Sequence, residues 1–426
     1  MTGVDPRRFR WLPRGLRPHA AVTQRQEHVF LLVGVAALFA GYDLNVYGLA
    51  TPQIQASFHI PEDHVTLIVA YFRLAAIVAL AIAASADLVG RRRLLLVTIL
   101  GQALATLATA FTGNEEQFIW AQFVTRLFGY ADEMLCFVVV AEEIAAKARG
   151  WASGALSALD YTGAGLASLV FAAVNLLPFG WRALYVIGAL PLFLVAYLRR
   201  RLPETQRYCA TEALHRSGTK WSQTLTLAKG LVREYPARLT AILIAVAAFG
   251  FGIASATVLS AKYLQSVEDY SPGQITGLFI PGGLVGLVLT IMAGRLSDRV
   301  GRRPVTAAVV AIGGIGFALF YGGASGWVLG PLWVLSFFGY FSSDALLAGF
   351  ALEIMPTRSR ATVSGLRYLT EILAGALALF LEGRLYDRFH GHGPAIQILL
   401  IALPISLLAI LFLPEPAGKT LEEMAG

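Results

Sequence analysis

The sequence predicts an all-α polytopic membrane protein with twelve transmembrane helices in two six-helix bundles. Three observations carry that reading. Hydrophobic residues make up 56% of the 426 and charged residues 14%, against roughly 45–50% and 25% in soluble globular chains, and mean hydropathy is +0.63. Apolar runs of about 20 residues, the length that crosses a bilayer, recur twelve times. Separated motifs also repeat at one offset, 211 residues, close to half the chain. A soluble enzyme and a disordered chain are excluded by the composition.

Taken in order, residues 1–28 carry Arg7, Arg8, Arg10, Arg14, Arg17 and Arg25 among prolines. No short apolar stretch with a small-residue cleavage site follows, so this segment reads as a cytoplasmic tail rather than a cleaved signal. Spans 1 to 6 fall at 29–50, 64–86, 94–112, 118–141, 151–175 and 182–198 and form an N-terminal bundle over 29–198. The polar, basic segment 199–238 is the linker. Spans 7 to 12 fall at 239–261, 273–294, 304–323, 327–352, 362–383 and 395–413 and form a C-terminal bundle over 239–413, with a cytoplasmic tail at 414–426. Counting loops alternately, one side holds 27 of the 34 lysines and arginines. The positive-inside rule then puts both termini in the cytoplasm, in a multi-pass protein of the plasma or inner membrane.

Other signals are bland. Cys136, in an apolar run, and Cys209, in a charged loop, suggest no disulfide framework. Net charge of +7 follows the loops rather than an element with stacking aromatics, which argues against nucleic acid. Gly282-Gly283-Leu-Val-Gly286 suits close helix approach better than phosphate binding. No Walker pattern points to an ATP-driven pump, and His390 and His392 lack the companions of a metal site. No nucleophile and base arrangement supports an enzyme.

The repeat is the most specific feature. Asp87-Leu-Val-Gly90-Arg91-Arg92 recurs as Asp298-Arg-Val-Gly301-Arg302-Arg303. Glu142 and Arg149 recur as Glu353 and Arg360, and Leu202-Pro203-Glu204 as Leu413-Pro414-Glu415, each 211 residues later. A duplicated six-helix unit explains all three.

With these residues in view, nearly the whole chain resembles the major facilitator superfamily. The family's loop signature, G-x-L-a-D-r-x-G-r-k, is matched by Gly294-Arg-Leu-Ser-Asp298-Arg-Val-Gly301-Arg302-Arg303; in the first half Ala83 replaces the leading glycine. Gly41-Tyr42-Asp43, Arg126-Leu-Phe-Gly129, Pro203-Glu-Thr-Gln-Arg207-Tyr208 and the segment from Pro414 to Glu423 are similar to sugar porters and to metabolite and aromatic-acid proton symporters. Span 7 reads Phe249-Gly-Phe-Gly-Ile-Ala-Ser without the paired glutamines of sugar porters, and span 5 lacks their glutamine. The G-P-x-x-G-G pattern usual in drug antiporters is absent from Gly163-Ala-Gly165-Leu-Ala-Ser168.

Ionisable residues inside hydrocarbon are functional candidates by default. Here they are Asp43, Arg73, Arg126, Asp132, Glu133, Asp160, Asp344, Arg367 and Glu371. Asp43 and Arg126 lie at similar depth, and the resemblance implies that they pair in proton coupling, because proton-coupled sugar porters pair an aspartate and an arginine at these motif positions. Arg73 is an alternative partner for Asp43, and a permanent ion pair that only fixes packing is an alternative role. Glu133, Asp160, Asp344 and Glu371, with Tyr130 and Tyr161, are substrate-binding candidates that would border a midplane cavity. Helix-to-helix hydrogen bonding is the alternative for the acids. Asp87, Gly90, Arg91, Glu142, Arg149 and Glu204, with Asp298, Gly301, Arg302, Glu353, Arg360 and Glu415, are candidates for a cytoplasmic gate built from ion pairs.

The function expected from these readings is secondary active transport by alternating access: proton-coupled symport of a small polar organic metabolite, whether organic acid, aromatic acid or sugar-like. Its partners would be that small molecule, the lipid bilayer and protons, with no nucleic acid, no metal and no cofactor beyond the proton gradient as energy source, and the chain would work as a monomer. Proton-coupled efflux of cationic or amphipathic compounds is the alternative within transport, favoured by six acids against three arginines in the spans. A transporter-like sensor or receptor is the alternative of another class.

Overall fold

In hydrocarbon no water is available to backbone N–H and C=O groups, so a spanning segment must satisfy them within itself, and the helix does so. The computed structural model describes Phe9, Arg17 and residues 22–144, 148–200, 233–324, 326–355 and 360–415. The first half contains α1 (Gln24–Phe58), α2 (Glu62–Ala84), the short α3 (Ala86–Val89), α4 (Arg91–Ala110), α5 (Glu115–Glu143), α6 (Arg149–Phe171) and α7 (Trp181–Arg199). The second contains α8 (Pro236–Val258), α9 (Ser260–Ser266), α10 (Pro272–Val300), α11 (Arg302–Phe320), α12 (Leu329–Glu353), α13 (Arg360–Phe389), α14 (His392–Leu400) and α15 (Leu403–Phe412). Every one of the twelve expected spans coincides with helix.

Ten stretches among the described residues are long and apolar enough to cross a membrane on composition alone. α5 and α6 fall short of that measure because they carry the charged Arg126, Asp132, Glu133 and Asp160 and, in α6, many small and polar residues. Several boundaries differ from expectation by a few residues, among them the ends of α10 at Val300 and α13 at Phe389, and two differences are informative. α1 continues past residue 50 to Phe58, because Thr51, Gln53, Gln55 and Ser57 lower the hydropathy without breaking the helix; Thr51 Oγ1 donates to the Tyr47 carbonyl at 2.6 Å. Arg199, expected to open the linker, is instead the last residue of α7 and is fully buried. The rest of that linker, from 201 to 232, lies outside the described residues, as do Glu204 and the side chains of Asp87, Arg149 and Arg360.

By their contacts the residues divide into two units: Met1–Phe58 with Ala75–Gly218, and His59–Leu74 with Thr219–Gly426. α2 thus changes unit along its length, its first half belonging to unit 2. In unit 1, α1 packs on α6 and α7, and α4 on α5 and α7. The α1–α6 approach is tight: a Cβ at Gly163 would lie 1.9 Å from the Leu38 carbonyl oxygen, and one at Gly41 would lie 2.1 Å from the Asp160 carbonyl oxygen. Small residues at such crossings let backbones approach in a bilayer. Unit 2 repeats the pairings, with α8 on α13 and α15, and α11 on α12 and α15. The duplication read from the 211-residue offset is therefore a duplication of packing.

Large apolar side chains point outward. On α10, Gly282 and Gly286 are buried while Leu284, Val285, Leu287, Val288, Ile291 and Met292 are exposed. Lipid tails are as apolar as leucine, so this exposure suits a bilayer, whereas water would penalise it.

Candidate functional site: buried charges in two repeated units

α1 brings Gly41-Tyr42-Asp43 into the interior of unit 1. Tyr42 fixes the register by donating its hydroxyl to the Leu184 carbonyl at 2.9 Å. Asp43 is 1% exposed. Its Oδ1 accepts from Thr106 Oγ1 at 3.1 Å and its Oδ2 from Gln102 Nε2 at 3.5 Å, both on α4. Arg126 of α5 is buried within electrostatic range of the carboxylate. Its Nη2 donates to the Leu44 carbonyl at 2.9 Å, and no direct ion pair joins it to Asp43 among the described residues. The carboxylate is thus held by two neutral hydrogen bonds in the neighbourhood of one guanidinium. Arg73 is placed elsewhere, in unit 2 against Gly375 of α13.

The substrate candidates gather within each unit. In unit 1, Glu133 of α5 and Asp160 of α6 are half-buried electrostatic neighbours, with Tyr130 and Tyr161 also half-buried. In unit 2, Arg367 Nη1 binds Asp344 Oδ1 at 3.0 Å and Glu371 Oε2 at 2.9 Å, and Arg73 lies within electrostatic range of Glu371. Glu371 stands 211 residues after Asp160, and each packs on a glycine of its unit's first helix, Gly250 and Gly41 respectively.

Among the described residues, the gate candidates form an arginine–glutamate ion pair in each unit, with a second pair on the same arginine in unit 2. Arg91 binds Glu142 through two hydrogen bonds, Nη2 to Oε1 at 2.8 Å and Nε to Oε2 at 3.2 Å. At the same offset, Arg302 Nη2 meets Glu353 Oε1 at 2.9 Å, and Arg302 also pairs with Asp298 at 2.7 Å. Glu415 accepts from the backbone N–H groups of Arg302 and Arg303 at 2.8 and 2.9 Å, capping α11. Gly90 (φ 98°) and Gly301 (φ 125°) turn the chain before these arginines, in a region that disfavours any residue with a Cβ.

Two clusters escaped the sequence reading. The first is Asp132 with Arg199: Nη1 to Oδ1 is 2.6 Å, Thr98 Oγ1 reaches the same oxygen at 2.8 Å, and Arg199 Nη2 lies 3.2 Å from Cys136 Sγ. The second lies in unit 2, where Glu62 at the start of α2 pairs with Lys262 and with His392 Nε2 at 3.1 Å. His392 Nδ1 is 2.7 Å from Glu382 Oε1, and Thr66 Oγ1 donates to Glu382 Oε2 at 2.8 Å. Among the described residues, no group of three or more His, Cys, Asp or Glu side chains is arranged to hold a metal ion.

Repeated helical units, lipid-compatible surfaces and charged residues kept inside the bundles define a polytopic helical membrane protein. The chain belongs to the Major Facilitator Superfamily, whose family profile it matches over residues 33–379. It is 26% identical over 418 residues to the ectoine/proline transporter ProP of Corynebacterium glutamicum, covering 89% of this chain and 82% of that one. Identity is 27% over 330 residues to a gallate transporter of Pseudomonas putida, with 70% and 71% covered. It is 26% over 335 residues to the 3-(3-hydroxy-phenyl)propionate transporter of Escherichia coli, with 78% and 76% covered. Among solved structures, a D-xylose-proton symporter superimposes with a TM-score of 0.73 at 19% identity, over 92% of this chain and 99% of that one. That likeness bears out the fold.

Proposed function

We propose that the protein is a proton-coupled symporter that imports a small organic acid, aromatic acids first, by alternating access. The observation that carries the coupling is Asp43, an acid buried in unit 1 between Gln102 and Thr106 beside Arg126. One consideration favours an acid as cargo: two relatives are named for gallate and hydroxyphenylpropionate, while the charges of Arg73 and Arg367 in unit 2 are matched by Asp344 and Glu371. The half-buried acids Glu133 and Asp160 favour a second reading, efflux of a cationic compound in exchange for protons. In either case the protein works as a monomer in the plasma or inner membrane, with both termini cytoplasmic and the proton gradient as its energy source.

The test is uptake of labelled gallate, 3-(3-hydroxyphenyl)propionate, proline and a lipophilic cation by proteoliposomes under an imposed pH gradient. Accumulation of an aromatic acid that collapses with the gradient is expected. Asp43→Asn should abolish that accumulation while downhill exchange persists. Gradient-driven accumulation at the unmodified rate in Asp43→Asn sinks the coupling role, and proton-driven extrusion of the cation alone decides for efflux.

A further inference from the structure

The inner face of α4 is polar where packing alone would use leucine or valine. Thr98, Gln102, Thr106 and Thr109 recur at spacings of four, four and three, which places them on one face, and all four are 0% exposed. Each meets a polar group from another helix. Thr98 contacts Asp132, Gln102 and Thr106 contact Asp43, and Thr109 Oγ1 accepts from Gln122 Nε2 of α5 at 3.1 Å. Beyond α4, the Thr112 carbonyl accepts from Arg182 Nη2 at 3.1 Å. Within α4, from Thr98 to Thr109, this polar file spans about 16 Å at 1.5 Å per residue.

Its two halves differ in kind. Toward the Arg91 end of unit 1, Asp132 is saturated by Arg199, Thr98 and Cys136, and the guanidinium supplies a fixed positive charge with no acceptor, its Nε being a buried donor without a protein partner. Toward the Thr112 end, Gln102 Oε1, Gln122 Oε1 and the Tyr185 hydroxyl are fully buried without a protein partner, and so is Arg126 Nε. Tyr185 lies within electrostatic range of both Asp43 and Arg126. Polar atoms buried in native proteins are nearly always satisfied by protein or by ordered water, and water needs two to four such partners at one place. Here Gln102 and Tyr185 lie beside Asp43, and Gln122 joins the same polar face through Thr109.

We propose that Gln102, Gln122 and Tyr185 hold a file of buried water that joins Asp43 to the Thr112 end of unit 1 and delivers its proton. This rests on the reading of Asp43 as the proton carrier. The proton's path then runs inside unit 1, between α4, α5 and α7, independent of any substrate passage. Each water accepts a proton from its predecessor as it passes one on, so the net result is one proton taken from solvent at the Thr112 end and one bound to the Asp43 carboxylate, with no oxidant or further reactant needed. Gln122 acts as a positioning residue, since its amide orders the water next to Thr109.

The experiment follows the infrared carbonyl band of protonated Asp43 in the purified full-length protein after a rapid pH jump, with no substrate present. Asp43→Asn identifies the band by removing it. Gln122→Leu and Tyr185→Phe should each slow its appearance by roughly tenfold or more, the scale expected when a positioned proton-transfer group is lost, while its final intensity at each pH stays the same. Gln122→Glu, which keeps a water-ordering oxygen, should restore the rate, an outcome that loss of packing alone would not give. Unaltered rates in both Gln122→Leu and Tyr185→Phe, with the band present, overturn the route alone. If Asp43→Asn removes no titrating band, the proton-carrier reading falls and the route with it.

Discussion

A charge inside a membrane bundle is expensive unless something answers it, and the individual residues show how differently two such charges can be answered. Asp43 stood out in the sequence because it interrupts an apolar run beside a recognisable motif. Arg199 did not: it is the first of three consecutive arginines at the edge of a basic linker, and only packing distinguishes it from Arg200. Its partner Asp132 was visible as an intramembrane acid, yet nothing in the spacing of 67 residues joined the two. Removing one member of a buried pair leaves the other uncompensated, which typically costs about 3–5 kcal/mol. Arg199→Ala should therefore lower the thermal midpoint of the purified protein markedly, whereas Arg200→Ala, one residue on, should leave it close to unmodified. Equal, small shifts in both variants would show that the Asp132 pair contributes little.

At the level of elements, the existence and order of the spans were legible, because a bilayer forces helices of nearly fixed length and the hydropathy of the chain marks them. What hydropathy does not carry is which helix a given face meets. α2 was expected to serve the first bundle along its whole length, yet its first half belongs to unit 2 through Glu62, Thr66 and their partners. His392 and Glu382 gave no motif, since their association runs between α14, α13 and α2 and depends on three-dimensional placement alone. Glu382 is fully buried, and Glu382→Ala would leave His392 and Lys262 short of an anion. Amide hydrogen exchange over residues 62–74 should then quicken, with exchange in α4 and α5 unaffected; uniform protection in the variant would mean that Glu382 does not hold α2.

The molecule as a whole is a duplication, and the 211-residue offset announced it before any coordinate did. Both copies keep the glycine turn, the arginine and its glutamate, but they are not energetically equal. The side chains of Arg91 and Glu142 are 9% and 8% exposed, those of Arg302 and Glu353 24% and 31%. Exposed pairs contribute about 0–1 kcal/mol and buried ones more when broken. Arg91→Ala should therefore destabilise the protein more than Arg302→Ala, and both should slow transport without inverting membrane orientation. Denaturation midpoints with spin-label distances across the ends of α5 and α12 check this; an equal loss of stability in the two would make the burial difference irrelevant.

The placement of α2 also sets a timetable for synthesis. Glu62 leaves the ribosome 200 residues before Lys262 and 330 before His392, and Thr66 precedes Glu382 by 316. All of the first-half helices are thus made and inserted while one of them still lacks its final neighbours. A polypeptide truncated in the linker would carry α1 and α4 to α7 with their own partners but lack Lys262 and His392, which pair with Glu62. Insertion factors that shelter unfinished helices would be expected to stay on α2 until α14, which opens the last span, has emerged. A gene split at the linker should work only when both fragments are produced together.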